Sequence, residues 1–531
     1  MSYQPKRMSN DDNPYRSNNY NRGESTRSYY NETRQSNYGK TQNSKPQNSK
    51  PQNYKSKGNK KINKVMLAFK ILALVFFITT IVFYVSINKL NLLPTSYFVA
   101  FTLAEIIITA LITIGLAKTH KTYKLNVLCL IIMLLLTGIY LYVINFANAA
   151  NDFLGSVFQE VKETEEYFVV VRDDSVYESI EDLDGESIYA FQIEEDVRED
   201  INKEINANFK TQDNLTNLGN DLLDEKIEAI LVSSSQYAMI SEEIEDFEDD
   251  TRIIYKSNHE IEKTAEVSAG DSKYTIENGV FNVYISGIDT SGSISNVSRS
   301  DANIIATVNT KTHEVLLTSI PRDYYVTLHS KGAKDKLTHS GIYGINETVT
   351  TVEDLLDIDI NYYVRVNFTT VIKLVDVLGG IDVYSANSFS RGGYTFSQGY
   401  NHLNGDAALV FSRERYSFAS GDNQRVKNQQ AVIEAIAKKV LNSTTLLTRY
   451  TDILDSLQGS FQTNIEQDEM SSLVRAQLSD MSSWKFSNNA LEGTGSYGPT
   501  YSMGSTQLYI MLPNQTSVAN AKAKINEAMG E

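Results

Sequence analysis

The sequence predicts a membrane-anchored α/β protein: three N-terminal transmembrane helices, a small α/β domain, and a larger α/β domain built on a central mixed sheet. Three observations predict it. At 531 residues the chain is long enough for roughly three units. Of its 49 Lys+Arg and 65 Asp+Glu, 14 and 4 fall in residues 1–64, 5 and 1 in 65–150, and the remaining 30 and 60 beyond, so the three parts carry +10, +4 and −30. Such asymmetry marks segments that live in different surroundings. Finally, three long apolar runs precede a region of alternating strand-like and helix-like patterns. The expected boundaries are 1–64, 65–148, 149–273 and 274–531.

Residues 1–64 are mostly Asn, Ser, Tyr, Lys, Arg and Gln, with a short repeat, QNSKPQNSKPQNYK. They cannot bury a core, so a disordered basic tail is expected, suited to anionic lipid better than to RNA.

The runs ILALVFFITTIVFYVSI from Ile71, SYFVAFTLAEIIITALITIGLA from Ser96 and LNVLCLIIMLLLTGIYLYVINF from Leu125 follow. Each approaches the ~20 residues that cross a bilayer. Three runs, none at the extreme N-terminus, speak against a cleaved signal peptide. The basic tail and the loop KTHKTYK, with Lys118, Lys121 and Lys124, belong on the cytoplasmic side. An odd number of spans then puts everything after about residue 150 outside the cytoplasm. Glu105, inside the second span, reads either as functional or as a helix-packing carboxyl. Cys129, the one cysteine, lies in the third span and allows no internal disulfide. An exported region without cysteines and a Lys/Asn/Ile-rich usage fit a Gram-positive bacterium.

From Asp152 to about Lys273, EEYFVVVR and ESIYAFQI read as strands, with DDSVYESIEDLDG between them as a turn and short helix. LLDEKIEAILVSSSQYAMISEEI reads as helix, strand and helix. SIEDLDG and EKIEAILVSSSQYAMI resemble pieces of a solute-binding lobe, but the match is short, so the unit is read as a spacer or partner-docking domain, with ligand binding as the alternative.

Beyond Tyr274, FNVYISGID, ANIIATVN and HEVLLTSI read as strands, the last two joined by TKT in a hairpin. VNFTTVIKLVDVLGG reads as a helix stopped by Gly379 and Gly380, its apolar face either core or a groove for a lipid tail. GGIDVYS and ALVFSRERYSF read as further strands. NQRVKNQQAVIEAIAKKVLN reads as a long helix with Asp422 near its start as a cap.

Hairpin strands run antiparallel, so Arg322 and Asp323, after the second strand, must lie beside Arg299 and Asp301 at the start of the first. If FNVYISGID pairs parallel to HEVLLTSI, then Asp289 at its end joins the same rim. Carboxylates among guanidinium groups suit a hard cation bridging to phosphate oxygens.

In FSRERYSFASGDNQRVKNQQ, Arg413, Arg415 and Arg425 fall within thirteen positions. A strand would point Arg413 and Arg415 the same way and Glu414 the other. The apolar stripe of the following helix, Val432, Ile433, Ile436 and Val440, extends back through Gln429 to Arg425, leaving Lys427, Asn428, Glu434 and Lys438 to solvent. Singly, these arginines would pair with the abundant carboxylates. Gathered, they repel one another and require a multivalent anion, and pyrophosphate suits their paired donors.

Other signals are weaker. GTGSYG matches a dinucleotide-binding pattern by letter, but Pro499 follows and no helix opens there, so it reads as a loop. The six histidines show no metal-ligand spacing. His339, in KDKLTHSG near Lys336, reads as a surface residue, with a place lining a site as the alternative.

ISGIDTSG, VSRSDANIIATVN, LLTSIPRDYYVTL, KDKLTHSGIYG, LVDVLGGIDV and YNHLNGDAALVFSRERYSFASGDNQRVKNQQAVIEAI occur in this order, over about residues 278–445. As a set they resemble the LytR-CpsA-Psr family of bacterial cell-envelope proteins, and three spans with an extra domain resemble its CpsA branch. The resemblance implies that 274–531 is a catalytic domain moving capsular polysaccharide or teichoic acid from a polyprenyl-pyrophosphate carrier to peptidoglycan. A phosphodiester would form and polyprenyl phosphate would be released. It implies Mg2+ (or Mn2+) on Asp289 and Asp301, and pyrophosphate on Arg299, Arg322, Arg413, Arg415 and Arg425. Lys336 and Gln429 would stand near the head group, and Asp422 matches a family acid, with capping an equal reading. Either Asp301 or Asp323 would accept the proton of the attacking hydroxyl. This chain has RSDAN where the family often has RSDT, which keeps the carboxylate. The implied partners are the lipid-linked glycopolymer, peptidoglycan, the cytoplasmic membrane and other capsule or cell-wall assembly proteins. The competing classes are a membrane-bound transcriptional regulator, a lipid pyrophosphate hydrolase and a receptor. A charge of −30 outside the membrane opposes binding to nucleic acid.

Overall fold

The computed structural model describes residues 58–91, 94–117, 123–157, 162–261, 275–288, 290, 293–418, 421–442, 459–480 and 482–531. Most of the tail and the expected boundary at 273/274 lie outside them.

Helices α1 (Gly58–Leu90), α2 (Thr95–Ala117) and α3 (Tyr123–Val157) come first. Within them, Leu67–Lys89, Thr95–Ile114 and Asn126–Asp152 are long and apolar enough to cross a membrane. Phe76, Phe83, Ile112, Met133 and Tyr140 form their common core, and Cys129 is buried there too. Glu105 is buried and accepts the Tyr140 hydroxyl, which makes it a packing carboxyl, satisfied where water is absent. The C-terminal turns of α3 reach further: Ala147 and Ala150 are fully buried against Val375, Leu378 and Ile381.

The first sheet holds β1 (Thr164–Arg172), β2 (Ser187–Ala190), β3 (Asn208–Thr211), β4 (Ala229–Ser233) and β5 (Thr251–Glu260) in the order β3-β2-β4-β1-β5. Interleaved are α4 (Glu195–Glu204), α5 (Leu215–Leu223) and α6 (Ser234–Glu243). All five residues of β4 are buried, as an interior strand covered on both faces requires. Asn214 accepts the Asn217 N–H at 2.9 Å, and Ser233 with Gln236 closes a capping box, so both side chains fix where α5 and α6 begin.

The larger sheet has the order β16-β11-β6-β7-β8-β17, and its strands are β6 (Val280–Ile288), β7 (Ser300–Asn309), β8 (Glu314–Ile320), β11 (Tyr362–Val366), β16 (Phe461–Thr463) and β17 (Lys485–Ala490). Smaller ribbons pair β9 (Tyr325–Thr327) with β10 (Lys334–Lys336), β12 (Ile381–Ser385) with β15 (Gly399–Leu403), β13 (Phe389–Arg391) with β14 (Tyr394–Phe396), and β18 (Gly493–Thr500) with β19 (Gly504–Pro513). The helices are α7 (Leu337–Ser340), α8 (Ile345–Leu356), α9 (Phe368–Val377), α10 (Gly405–Arg413), α11 (Asp422–Asn442), α12 (Gln467–Asp480) and α13 (Gln515–Met529). Strands β6–β7 and β7–β8 pair antiparallel, whereas β11–β6 and β17–β8 pair parallel, so the sheet is mixed.

A buried ion pair helps tie the sheets together. Glu163, just ahead of β1, pairs with Arg365 of β11, a fully buried arginine that also donates to Asn296 O at 2.8 Å and Gln462 Oε1 at 3.2 Å. Both Glu163 oxygens also accept the Ile345 N–H at 3.2 Å, at the positive end of α8. Glycine is required beside them: Gly344 has φ +96°, and a Cβ there would stand 2.5 Å from Glu163 Oε2.

Five expectations need correction. The 408–418 stretch is not a strand but contains most of α10. Asn404 caps that helix by accepting the Ala407 N–H at 2.9 Å, and Ala407, Ala408 and Phe411 turn inward at helical spacing. GTGSYG is a strand, β18, whose backbone pairs with β19; its glycines lie against Met511 and Tyr509, where side chains would crowd. Strand β6 does not pair with β8, because β7 lies between them, although the two run in the same direction. Asn428 is buried, not solvated: it donates to Phe411 O at 3.1 Å and accepts from Gln424. His339 is buried as well, its Nδ1 2.6 Å from the wholly buried Asp335 carboxylate, which also accepts from Ser502.

Candidate active site

Strand alternation sorts the larger sheet into two faces. Tyr284, Ile305, Leu316 and Ile320 pack against α8 and α13. Phe281, Val283 and Ile285 of β6, Ala306 and Val308 of β7, and Val315 and Leu317 of β8 face the other way. There, α9, α11 and α12 stand off the sheet and leave a cavity of about 990 Å3. Val371 and Leu374 of α9 and Ile433, Ile436 and Val440 of α11 supply apolar walls, so α9 contributes a groove face, while its Val375 and Leu378 remain core.

One end of this apolar cavity is cationic. Arg299, Arg322, Arg391, Arg413, Arg415 and Arg425 all line it, with Asp301, Glu242 and Gln429. The hairpin register explains the first group: Asn303 of β7 is opposite Ile320 of β8, which brings Asp301 beside Arg322. Arg322 Nη1 lies 3.0 Å from each Asp301 oxygen, and Thr338 Oγ1 donates to Asp301 at 2.9 Å. Burial alone would raise the Asp301 pKa, but Arg322, Arg299 and Arg425 overcome it and hold the carboxyl at about 2. Arg322, despite its burial, is held above the ordinary arginine range by Asp301, Asp323 and Glu242.

The second group comes from α10 and α11. Arg413 ends α10 and lies over the Phe368 ring at 4.1 Å. Glu414 caps that helix in extended conformation and turns to Arg391, whose Nε is 3.2 Å away. Arg415 then donates to the Tyr416 hydroxyl at 2.7 Å, which lowers the pKa of that phenol. Thus Arg413 and Arg415 do line the same cavity, through a helix end and an extended cap rather than a strand. Arg425 is buried on the first turn of α11, one turn ahead of Gln429.

Of the remaining expected residues, Asp323 and Lys336 pair with each other at 3.5 Å beside Arg322, but neither lines the cavity. Asp289 and the side chain of Asp422 lie outside the described residues. Sequence reasoning missed Glu242, Thr338, Arg391, Tyr416 and Phe368. Thr338 sits within a quoted motif, whereas Glu242 arrives from α6 of the first sheet, and only the tertiary fold brings it here. Its carboxylate pairs with Arg299 and stands 3.3 Å from Arg322 Nη2. Burial acts against its charge, and these two arginines overcome that, leaving its pKa below the ordinary glutamate value.

Among the described residues, no three metal-binding side chains converge. Asp301 lines the cavity as an ionised hard-oxygen donor, the chemistry a divalent cation asks of a protein when phosphate oxygens complete its shell.

This fold and site define a class: three helices long and apolar enough to cross a membrane, followed by α/β structure whose cavity is lined by arginines at one end and by apolar side chains along the rest. The chain belongs to the LytR_cpsA_psr family, whose model matches residues 247–524. It is 38% identical over 189 residues to the polyisoprenyl-teichoic acid–peptidoglycan teichoic acid transferase TagU of Bacillus cereus, covering 35% of this chain and 61% of that one. It is 38% identical over 218 residues to the protein of the same name from Enterococcus faecalis, covering 40% and 71%. The crystal structure of B. subtilis TagU is 31% identical, with 48% of this chain and 97% of that one covered at a TM-score of 0.38.

Proposed function

We propose that the protein is a phosphotransferase that moves a glycopolymer, teichoic acid or capsular polysaccharide, from a polyprenyl-pyrophosphate carrier to peptidoglycan. The observation that carries this reading is the single cavity with six arginines at one end and apolar walls beyond them. A polyprenyl pyrophosphate has the same two-part chemistry, and the names of the relatives agree.

In this reading the arginines hold the pyrophosphate, and a sugar hydroxyl of peptidoglycan attacks the phosphorus that bears the glycopolymer. The new phosphodiester forms as the bond to polyprenyl phosphate breaks. Phosphoryl transfer asks for alignment and neutralised charge more than for a strong base. Asp301 lines the cavity and Asp323 does not, which favours Asp301 as the carboxylate that meets the acceptor. Its low pKa makes it a weak base, which suits a transition state that needs little proton removal. Mg2+ (or Mn2+) held by Asp301, with Asp289 as the second carboxylate, would neutralise pyrophosphate charge when bound. The three membrane helices would place the site at the outer face of a Gram-positive cytoplasmic membrane, where carrier and peptidoglycan meet.

The test uses the full chain in membranes with a polyprenyl-pyrophosphate-linked glycan and peptidoglycan. Arg413→Ala and Asp301→Ala are expected to abolish transfer; transfer at the wild-type rate by both would overturn the reading.

A further inference from the structure

Glu242 belongs to α6 of the first sheet, yet it sits at the cationic end of the cavity. One of its oxygens pairs with Arg299 Nη1, and the other lies 3.3 Å from Arg322 Nη2. A carboxylate that gives one oxygen to each of two guanidinium groups makes the bridging contact that two oxygens of a phosphate would make. Its seat is also looser than that of its neighbour. The Asp301 side chain is 19% exposed and held by Arg322 and Thr338, whereas the Glu242 side chain is 41% exposed. Both carboxylates face the same arginines, so a polyanion entering there is repelled by two negative charges, and the more exposed one has a path to solvent.

We propose that Glu242 is an affinity-determining residue: an internal stand-in for a phosphate group, which the substrate's pyrophosphate displaces from Arg299 and Arg322 and which returns as the product leaves. The proposal rests on the phosphotransfer reading above. The disubstituted pyrophosphate of the carrier and the phosphate monoester it becomes carry similar charge, about −2 and about −1.5 to −2 near pH 7, so Glu242 competes with both for the two arginines. The first sheet gains a role in this way, because α6 gives up its Glu242 contacts with Arg299 and Arg322 whenever the anion site is filled, while its packing against Ile342 and Met503 remains.

The experiment measures binding of inorganic pyrophosphate to the full chain in detergent by calorimetry, for the wild type, Glu242→Gln and Glu242→Ala. Both variants are expected to bind about tenfold more tightly, the scale of one charge-assisted contact no longer competing. A merely structural role would weaken binding instead. Detectable wild-type binding with equal or weaker binding by the variants overturns this proposal and leaves the phosphotransfer reading standing. If no chain binds pyrophosphate, both fall.

Discussion

Arg322 places a single nitrogen, Nη1, 3.0 Å from both carboxylate oxygens of Asp301, joining the end of one hairpin strand to the start of the other. Deleting the guanidinium leaves a poorly solvated carboxylate with less counter-charge, so Arg322→Ala is expected to cost about 3 kcal/mol, the low end for a broken buried pair, because Arg299 and Arg425 remain. Asp301 is held at about 2 against an ordinary 3.8. Its stabilisation is thus present above that ordinary value and is lost as pH falls through about 2. Melting curves from pH 2 to 6 should show the gap between wild type and variant closing at the acid end. A gap independent of pH would show that the pair contributes nothing through charge.

Arg413 owes its position to the end of α10 and to the Phe368 ring 4.1 Å away. Arg413→Ala should weaken binding of a polyprenyl pyrophosphate by roughly 10- to 100-fold, the scale of one or two charge-assisted contacts. Arg413→Lys keeps the charge but loses the planar fork, and should recover only part. Full recovery by lysine would mean that the site reads charge alone.

The length of the apolar cavity should be measurable by obstruction. Ile436 of α11 lines it one turn ahead of Val440, so Ile436→Trp would fill space meant for an isoprenoid chain. Displacing one five-carbon unit costs roughly 3 kcal/mol, about a hundredfold in affinity. The variant should therefore lose affinity for long-chain polyprenyl pyrophosphate while binding inorganic pyrophosphate normally. Equal losses for both probes would place the tail elsewhere.

Sequence reasoning brought together the right neighbours where local geometry forces an outcome. A two-strand hairpin must bring Asp301 to Arg322, and a helical stripe must carry Arg425 to the same face as Val432. It failed where two periodicities fit the same letters. In ALVF the apolar residues are consecutive, so strand and helix both account for them, and only the Asn404 cap followed by Asp406 favoured the helix. His339 and Asp335 misled because each satisfies the other four residues away, so two polar letters conceal a buried pair. Glu242 lies 57 residues before Arg299 on another sheet, and no local signal joins them.

Glu163 supplies the carboxylate for the fully buried Arg365, linking the segment before β1 to the larger sheet. Glu163→Ala strands that guanidinium and should destabilise the chain by roughly 3 to 5 kcal/mol. Replacing both residues, with Met for Arg365, should recover much of the loss, because the cost lies in the unpaired charge. Denaturant unfolding of the three variants decides the matter, and a double variant no better than the single one would refute it.

Glu165 of β1 stands opposite His259 of β5, buried in the first sheet, with Oε1 lacking a hydrogen-bond partner among the described residues. Burial pushes its carboxyl from the ordinary 4.5 up to about 7. Between those values the folded chain keeps a proton that the unfolded chain has released, so stability falls as pH rises across the window. The loss amounts to roughly 3 kcal/mol over the full range. Glu165→Gln has no proton to lose and keeps a neutral group of the same shape in the same place. At pH 4.5 the two chains should melt alike, and by pH 8 the variant should melt higher. Because the first sheet delivers Glu242 to the arginines, the wild-type sheet should also exchange its amide hydrogens faster at pH 8 than the variant does. Parallel melting curves for the two chains across this range would rule out Glu165 as the source of the pH dependence.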